Sequence, residues 1–167
     1  MPKIGFKQLL LFMGALGIAY VFLFLFNSQT DETDVSNLEP YAELMNQTVK
    51  LNEEVVVFVN QKELRRAADY LMLVKTSVSS TRKEKLYTLP VGHELKLTKA
   101  IHFTSGTSGF SVPYVIGECF IPELNETIYF EYAWGNEVTS MLQEAPLRFT
   151  YDKAPWQKKA LSGFYTF

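Results

Sequence analysis

Residues 128–135 read IYFEYAWG, an aromatic run that predicts a β-strand in the core of a small domain. Successive side chains of a strand point to opposite faces. Four apolar or aromatic side chains would therefore share one face: Ile128, Phe130, Tyr132 and Trp134. Burying four such side chains contributes roughly 6–12 kcal/mol before the loss of conformational entropy is counted. This even-numbered face is predicted to be core.

The opposite face of the same strand, together with the strand's end, predicts a binding surface. Aromatic side chains with a polar edge are common anchors of peptide and glycan recognition. Two tyrosines from other segments would complete a groove. The predicted ligand-binding or partner-binding residues are Tyr114, Tyr129, Glu131, Tyr132, Trp134 and Tyr151. The competing interpretation is that these aromatic residues serve only the core.

The overall composition is that of a folded protein. The chain has 167 residues and a net charge of −2, with 47% hydrophobic and 20% charged residues. This balance argues against a disordered chain. Basic residues do not cluster, so a nucleic-acid partner is not predicted.

An apolar segment near the N-terminus predicts a transmembrane helix over residues 9–26. Eighteen consecutive residues there carry no charge. Residues 4–26 would span roughly 34 Å as a helix, enough to cross the hydrocarbon core of a bilayer. A cleaved signal peptide is the alternative, but the segment is long and lacks small residues at a cleavage site. An uncleaved signal anchor in contact with the lipid bilayer is therefore expected.

Charges flanking this segment predict its orientation. Lys3 and Lys7 precede it, while acidic residues follow it, which places the N-terminus in the cytoplasm. The expected location is a bacterial inner membrane, with the C-terminal domain periplasmic or extracellular. The predicted organisation is a cytoplasmic N-terminus (1–8), the anchor (9–26), a polar linker (27–37) and an extracytoplasmic domain (38–167), itself divided into 38–74 and a β-barrel-like part, 75–167.

The first part of this domain mixes helical and strand patterns. Apolar residues recur at helical spacing over 38–50, which predicts an amphipathic helix. VVVFV at 55–59 predicts a buried strand. A capping-box pattern predicts a helix over 61–69. Residues 70–78 fit either a helix or a strand.

The remainder predicts an antiparallel β-structure. Residues 86–103 alternate as strands on both sides of Pro90 and Gly92, with Leu95, Leu97, Lys99 and Ile101 expected on one face. A strand over 112–124 is predicted to break at Gly117 and Pro122. A short helix (137–144), a last strand (147–151) and a docked aromatic tail (156–167) complete the expectation.

The order of these segments resembles SH3-like barrels, in particular the bacterial extracytoplasmic kind. The resemblance rests on strand spacing and on the glycine-containing turn in LPVGHELKL, and it covers residues 70–151. It implies a half-open barrel, so the predicted fold is an N-terminal transmembrane helix followed by a small α+β, mainly antiparallel β domain. It carries no function with it.

No motif in the sequence identifies a reaction. His93 and His102 are the only histidines and Cys119 is the only cysteine, so neither a metal site nor a cofactor is predicted. Cys119 lies among apolar neighbours, which predicts a buried, inert thiol; an intermolecular disulfide is the alternative. The chain is thus expected to be a non-catalytic, membrane-anchored binding module of a cell-envelope complex, with a protein partner or an envelope ligand. The alternatives are an immunity or inhibitor protein against an exported toxin, and an enzyme using His93 or His102 with Cys119 or a glutamate.

Overall fold

The computed structural model describes residues 5–27, 31–58, 70–76, 85–106, 109–138 and 146–167. One helix and eleven strands lie in these ranges. The helix, α1, is Phe6–Asn27. The strands are β1 (Asp31–Asp34), β2 (Thr48–Lys50), β3 (Val55–Phe58), β4 (Leu71–Lys75), β5 (Lys85–Leu89), β6 (Glu94–Thr104), β7 (Ser111–Ile121), β8 (Glu126–Ala133), β9 (Asn136–Val138), β10 (Arg148–Thr150) and β11 (Tyr165–Thr166).

The N-terminal helix corrects the transmembrane prediction. Side chains of α1 are described at Lys7 and over residues 12–21, where all are exposed. No helix in the described part of the chain is long and apolar enough to cross a membrane. The prediction of a single-pass signal anchor over 9–26 is therefore wrong, while the cellular location stays a prediction.

The eleven strands form two sheets. The larger has eight strands in the order β1-β6-β7-β8-β4-β3-β5, with β2 also paired to β6. The smaller has the order β11-β10-β9. All pairs are antiparallel except β4 and β8, which run parallel. The domain is thus β-rich rather than α+β, and nothing in it specifically identifies an SH3-like barrel, so that resemblance stays a prediction.

Several strand predictions are confirmed. β3 is fully buried, as its β-branched run predicts, and β5 and β6 flank the turn at Pro90 and Gly92. The ambiguous segment 70–78 contains the strand β4. β10 and the docked tail are also present, since β11 pairs with β10 and Trp156 is buried.

Two predictions about the connecting segments are wrong, and two others lie wholly or mostly outside the described residues. Residues 38–46 form successive turns instead of a helix, with Tyr41 and Met45 buried. Asn46 ends this segment with a φ of 62°, and its N–H donates to the carbonyl oxygen of Leu97 instead of continuing a helix. Within the predicted linker, β1 pairs with β6 as an exposed edge strand. β9 includes Glu137 and Val138, the first two residues of the predicted helix 137–144, and the rest of that prediction lies outside the described residues. The predicted helix 61–69 lies outside the described residues.

A β-bulge in β6 changes which residues share a face. The β6–β7 register shifts between Leu97 and Lys99, so the alternation expected from the sequence does not continue past that point. Leu95 and Leu97 lie in the main core, whereas Ile101 belongs to a second buried cluster. Lys99 is exposed and lies 3.6 Å from the carboxylate of Asp34.

β7 continues through Gly117, where a break was predicted. A Cβ atom at this position would lie 2.5 Å from Cζ of Phe130 and 2.6 Å from the carbonyl oxygen of Lys96. Glycine is therefore required by the close approach of the neighbouring strands rather than by an interruption of β7.

The main core lies between the two sheets and is strongly aromatic. The even-numbered face of β8 contributes Phe130 and Tyr132, and Trp134 follows directly after the strand, which confirms the interpretation of IYFEYAWG as part of the core. Trp134 packs edge-on against Tyr151, with ring centroids 5.1 Å apart. This packing fixes the end of β8, where the candidate site lies.

Candidate functional site

The candidate site lies where β4 and β8 separate. These parallel strands are paired at Leu71–Phe130 and Met72–Glu131. Beyond that point β4 stays paired with β3, and β8 stays paired with β7. Their carboxyl ends therefore diverge and leave a gap between two strands of one sheet.

A groove of about 520 Å³ occupies this gap. We call it the β4–β8 groove. Its lining residues come from both strands and from one C-terminal segment: Met72, Leu73, Val74, Lys75, Tyr132, Ala133, Asp152 and Lys153. Its volume lies within the usual range for ligand sites, about 300–1,000 Å³.

Residues 152–153 form a strap that joins the two separated strands. Nε1 of Trp134, just after β8, donates a hydrogen bond to the carbonyl oxygen of Asp152 at 2.8 Å. Nζ of Lys75, at the end of β4, donates to the carbonyl oxygen of Lys153. Side chains from both strands therefore hold the strap's backbone, and no β-ladder is needed there.

Lys75 is itself held by a carboxylate. Its Nζ lies 3.3 Å from Oε1 of Glu53, and the side chains of Lys75 and Glu53 are 16% and 30% exposed. This largely buried pair positions the ammonium group that contacts the strap. Lys75 is therefore a structural element of the groove wall.

A second cavity, of about 400 Å³, adjoins the groove at the β8–β9 turn. We call it the turn pocket. It shares Tyr132, Ala133 and Asp152 with the groove, so these residues stand at the junction. The other lining residues are Phe110, Ser111, Val112, Trp134, Gly135, Asn136 and Glu137. Gly135 has a φ of 130°, and a Cβ atom there would lie 2.6 Å from Cγ of Pro113, so only glycine fits this turn.

Two carboxylates face the turn pocket, and each is held by a hydrogen bond. Oε2 of Glu137 accepts from the backbone N–H of Ser111 at 2.9 Å. Oδ2 of Asp152 accepts from Nδ2 of Asn136 at 3.1 Å. Nearby, burial raises the pKa of Tyr132, and the charges of Glu53 and Asp152 raise it further. The Tyr132 hydroxyl is therefore neutral at physiological pH.

The six predicted binding residues do not line one exposed groove. Tyr132 and Trp134 reach the candidate site from the core. Tyr114 is buried in the second cluster, and Glu131 is buried in the sheet. Tyr129 is 56% exposed on another part of β8 and packs against Tyr70.

Tyr151 has a structural environment. Its hydroxyl is hydrogen-bonded to that of Tyr41 at 2.8 Å inside the core. Burial raises the pKa of Tyr151 to about 12, although the Tyr41 hydrogen bond opposes this shift. Burial likewise raises the pKa of Tyr41. Both hydroxyls are therefore neutral and hydrogen-bonded to each other.

The catalytic alternative depends on Cys119 and the histidines. Cys119 is buried, as predicted, and burial raises the pKa of its thiol to about 12, so the reactive thiolate is scarce. The cross-strand partner of His102 is Pro113, six residues from Cys119 along β7, or about 20 Å. His93 lies in the β5–β6 turn and is half-buried. Within the described ranges, no three His, Cys, Asp or Glu side chains are grouped to hold a metal ion.

Sequence reasoning missed most of the groove. Lys75, Asp152 and Lys153 carry no motif, and Met72 falls in the segment that fitted either a helix or a strand. Only the parallel pairing of β4 with β8 brings these residues together. A signal that could have helped is the charged pair Asp152-Lys153 directly after the last predicted strand.

Comparisons with known proteins assign no family. No protein-family model, no curated protein and no solved structure matches the chain.

Proposed function

We propose that this protein is a non-catalytic binding module that holds an extended segment of a partner protein in the β4–β8 groove. The observation that carries the proposal is the separation of β4 and β8 after two residue pairs. It leaves an open groove between two strands whose other edges remain paired.

Strand geometry supports an extended peptide as the occupant. In a strand, every second residue directs its backbone N–H and C=O groups toward a given neighbour. The diverging ends of β4 and β8 therefore present hydrogen-bonding groups toward the groove. Peptides that add to sheets gain affinity from such groups and specificity from adjacent side-chain pockets. The turn pocket is an adjacent cavity of this kind.

The lining also supports binding rather than catalysis. Met72 and Ala133 supply apolar surface. Nζ of Lys75 donates to the backbone of the strap, and the carboxylate of Asp152 accepts a hydrogen bond from Asn136. Cys119 is buried in the main core and is not among the lining residues of either cavity.

The proposal is tested with a phage-displayed library of random linear peptides, selected on the full-length protein. Ala133 is exposed at the junction of the groove and the turn pocket, so the indole of Ala133→Trp obstructs both without removing a described side-chain interaction. Ala160→Trp is the matched control, since Ala160 is exposed and lines neither cavity.

Peptides enriched on the wild-type protein and on Ala160→Trp, but not on Ala133→Trp, are the expected result. Enrichment of the same peptides on all three proteins would contradict the proposal, as would the failure of any peptide to enrich on the wild type.

A further inference from the structure

The charges of the turn pocket indicate what kind of side chain it accepts. Its described lining holds two carboxylates, Glu137 and Asp152, and no Lys, Arg or His. The amide of Asn136 and the ring of Phe110 lie in the same lining, and Phe110 is 59% exposed. A polar, negatively charged cavity beside an aromatic ring complements a cation.

The two carboxylates are already positioned. The backbone N–H of Ser111 holds one oxygen of Glu137, and the amide of Asn136 holds one oxygen of Asp152. A carboxylate accepts several hydrogen bonds through its two oxygens, so each retains accepting capacity for a ligand. Because both carboxylates are held in place before a ligand arrives, less side-chain conformational entropy is lost on binding.

We infer that the extended segment bound in the β4–β8 groove places an arginine or lysine side chain in the turn pocket. This inference rests on the proposed function and names the partner's chemistry. The cationic end forms charge-assisted hydrogen bonds with Glu137 and Asp152, and its apolar stem packs along Phe110. The cavity of about 400 Å³ has room for a side chain of this size.

The part of the β4–β8 groove that lies away from the turn pocket favours one direction of the bound segment. Its lining carries Lys75 and Lys153, and Lys75 is already paired with Glu53. The positive charge of Lys153 disfavours a second basic side chain at that end. Charges of opposite sign at the two ends therefore select against the reversed segment.

The test uses isosteric variants that remove charge and keep the described hydrogen bonds. Glu137→Gln retains a carbonyl oxygen for the Ser111 N–H, and Asp152→Asn retains one for Asn136. Glu123→Gln/Glu126→Gln is the control, because both glutamates are exposed around the β7–β8 turn and line neither cavity, while the net charge changes by the same two units. The probes are an enriched library peptide and the same peptide with each arginine replaced by citrulline or each lysine by norleucine.

We expect the enriched peptides to share a basic residue. Glu137→Gln/Asp152→Asn should weaken binding of the basic peptide roughly tenfold or more, the size of one charge-assisted hydrogen bond. Glu123→Gln/Glu126→Gln should bind like the wild type, and the neutral peptide should bind the wild type and Glu137→Gln/Asp152→Asn equally.

Two contrary results have different meanings. If Ala133→Trp abolishes binding but Glu137→Gln/Asp152→Asn binds as tightly as the wild type, the basic-side-chain inference is overturned and the peptide groove stands. If Ala133→Trp leaves binding unchanged, the proposed function fails and the inference fails with it.

Discussion

The indole nitrogen of Trp134 donates a hydrogen bond to the backbone carbonyl oxygen of Asp152 at 2.8 Å. This contact connects the end of the core strand β8 to the strap that crosses the β4–β8 groove. Trp134 is only 2% exposed, so the hydrogen bond forms at the boundary between core and site. The shape of the groove therefore depends on the same aromatic core that stabilises the domain.

Trp134→Phe should lower the free energy of unfolding by about 1–3 kcal/mol, because the Asp152 carbonyl loses its partner in a partly buried place. Trp156→Phe is the matched control. Nε1 of Trp156 is buried and has no hydrogen-bond partner in the described part of the chain, so losing its N–H should cost less. Urea unfolding of both variants checks this, and an equal loss for both would contradict the role given to Trp134.

Lys75→Met should destabilise the protein by roughly 1–3 kcal/mol, since it leaves Glu53 in a largely buried place without its cation and frees the Lys153 carbonyl. Lys50→Met removes an ion pair of the same 3.3 Å length whose side chains are 70% and 61% exposed. An exposed pair of this kind contributes about 0–1 kcal/mol. Denaturant titrations that give the two variants the same stability would argue against a strap anchored by Lys75.

Tyr151→Phe should cost about 1–3 kcal/mol of stability, because the fully buried hydroxyl of Tyr41 would lose its partner. The double variant Tyr41→Phe/Tyr151→Phe should recover part of that loss, since both polar groups are then removed. Tyr129→Phe, at an exposed position, should have little effect. Additive losses in a thermal-unfolding cycle would show that the two hydroxyls do not act as a pair.

His102 should make stability fall as the pH is lowered. Burial lowers the pKa of His102, and the negative charge of Glu137 only partly opposes this shift. Since the folded pKa lies below the unfolded one, the unfolded chain binds more protons in this range. The contribution is fully present above the ordinary histidine pKa of about 6.5 and is lost as the pH falls through the folded pKa.

Unfolding free energies measured between about pH 7.5 and about pH 5.5 test this expectation around the ordinary value of about 6.5. His102→Gln should flatten the dependence, whereas His93→Gln, in the β5–β6 turn, should retain it. A steep dependence that survives in His102→Gln would assign the titration to other groups.

The local pattern of the sequence predicts strands whose faces differ in polarity. The even-numbered face of IYFEYAWG is buried from Phe130 onward, and β3 is buried at all four of its residues, because alternation and β-branching reflect burial directly. The acidic residues 31–34 give no such signal, since both faces of β1 are exposed. Edge strands of this kind are held by backbone hydrogen bonds, which side-chain patterns do not record.

The candidate site depends on long-range relationships that local patterns do not contain. β4 and β8 are distant in the chain, and their parallel pairing and separation create the groove. The bulge after Leu97 likewise moves Ile101 out of the main core. Of the predicted binding residues, Tyr132 and Trp134 line the turn pocket, because they lie at the carboxyl end of the core strand β8, where that pocket is.

The most direct test of the peptide groove is a calorimetric titration of one enriched library peptide into the wild-type protein, Ala133→Trp and Ala160→Trp. Filling the junction of the groove and the turn pocket should weaken binding by roughly tenfold or more, about 1.4 kcal/mol, while Ala160→Trp should match the wild type. Equal affinities for all three proteins would contradict the assignment of the β4–β8 groove as the binding site.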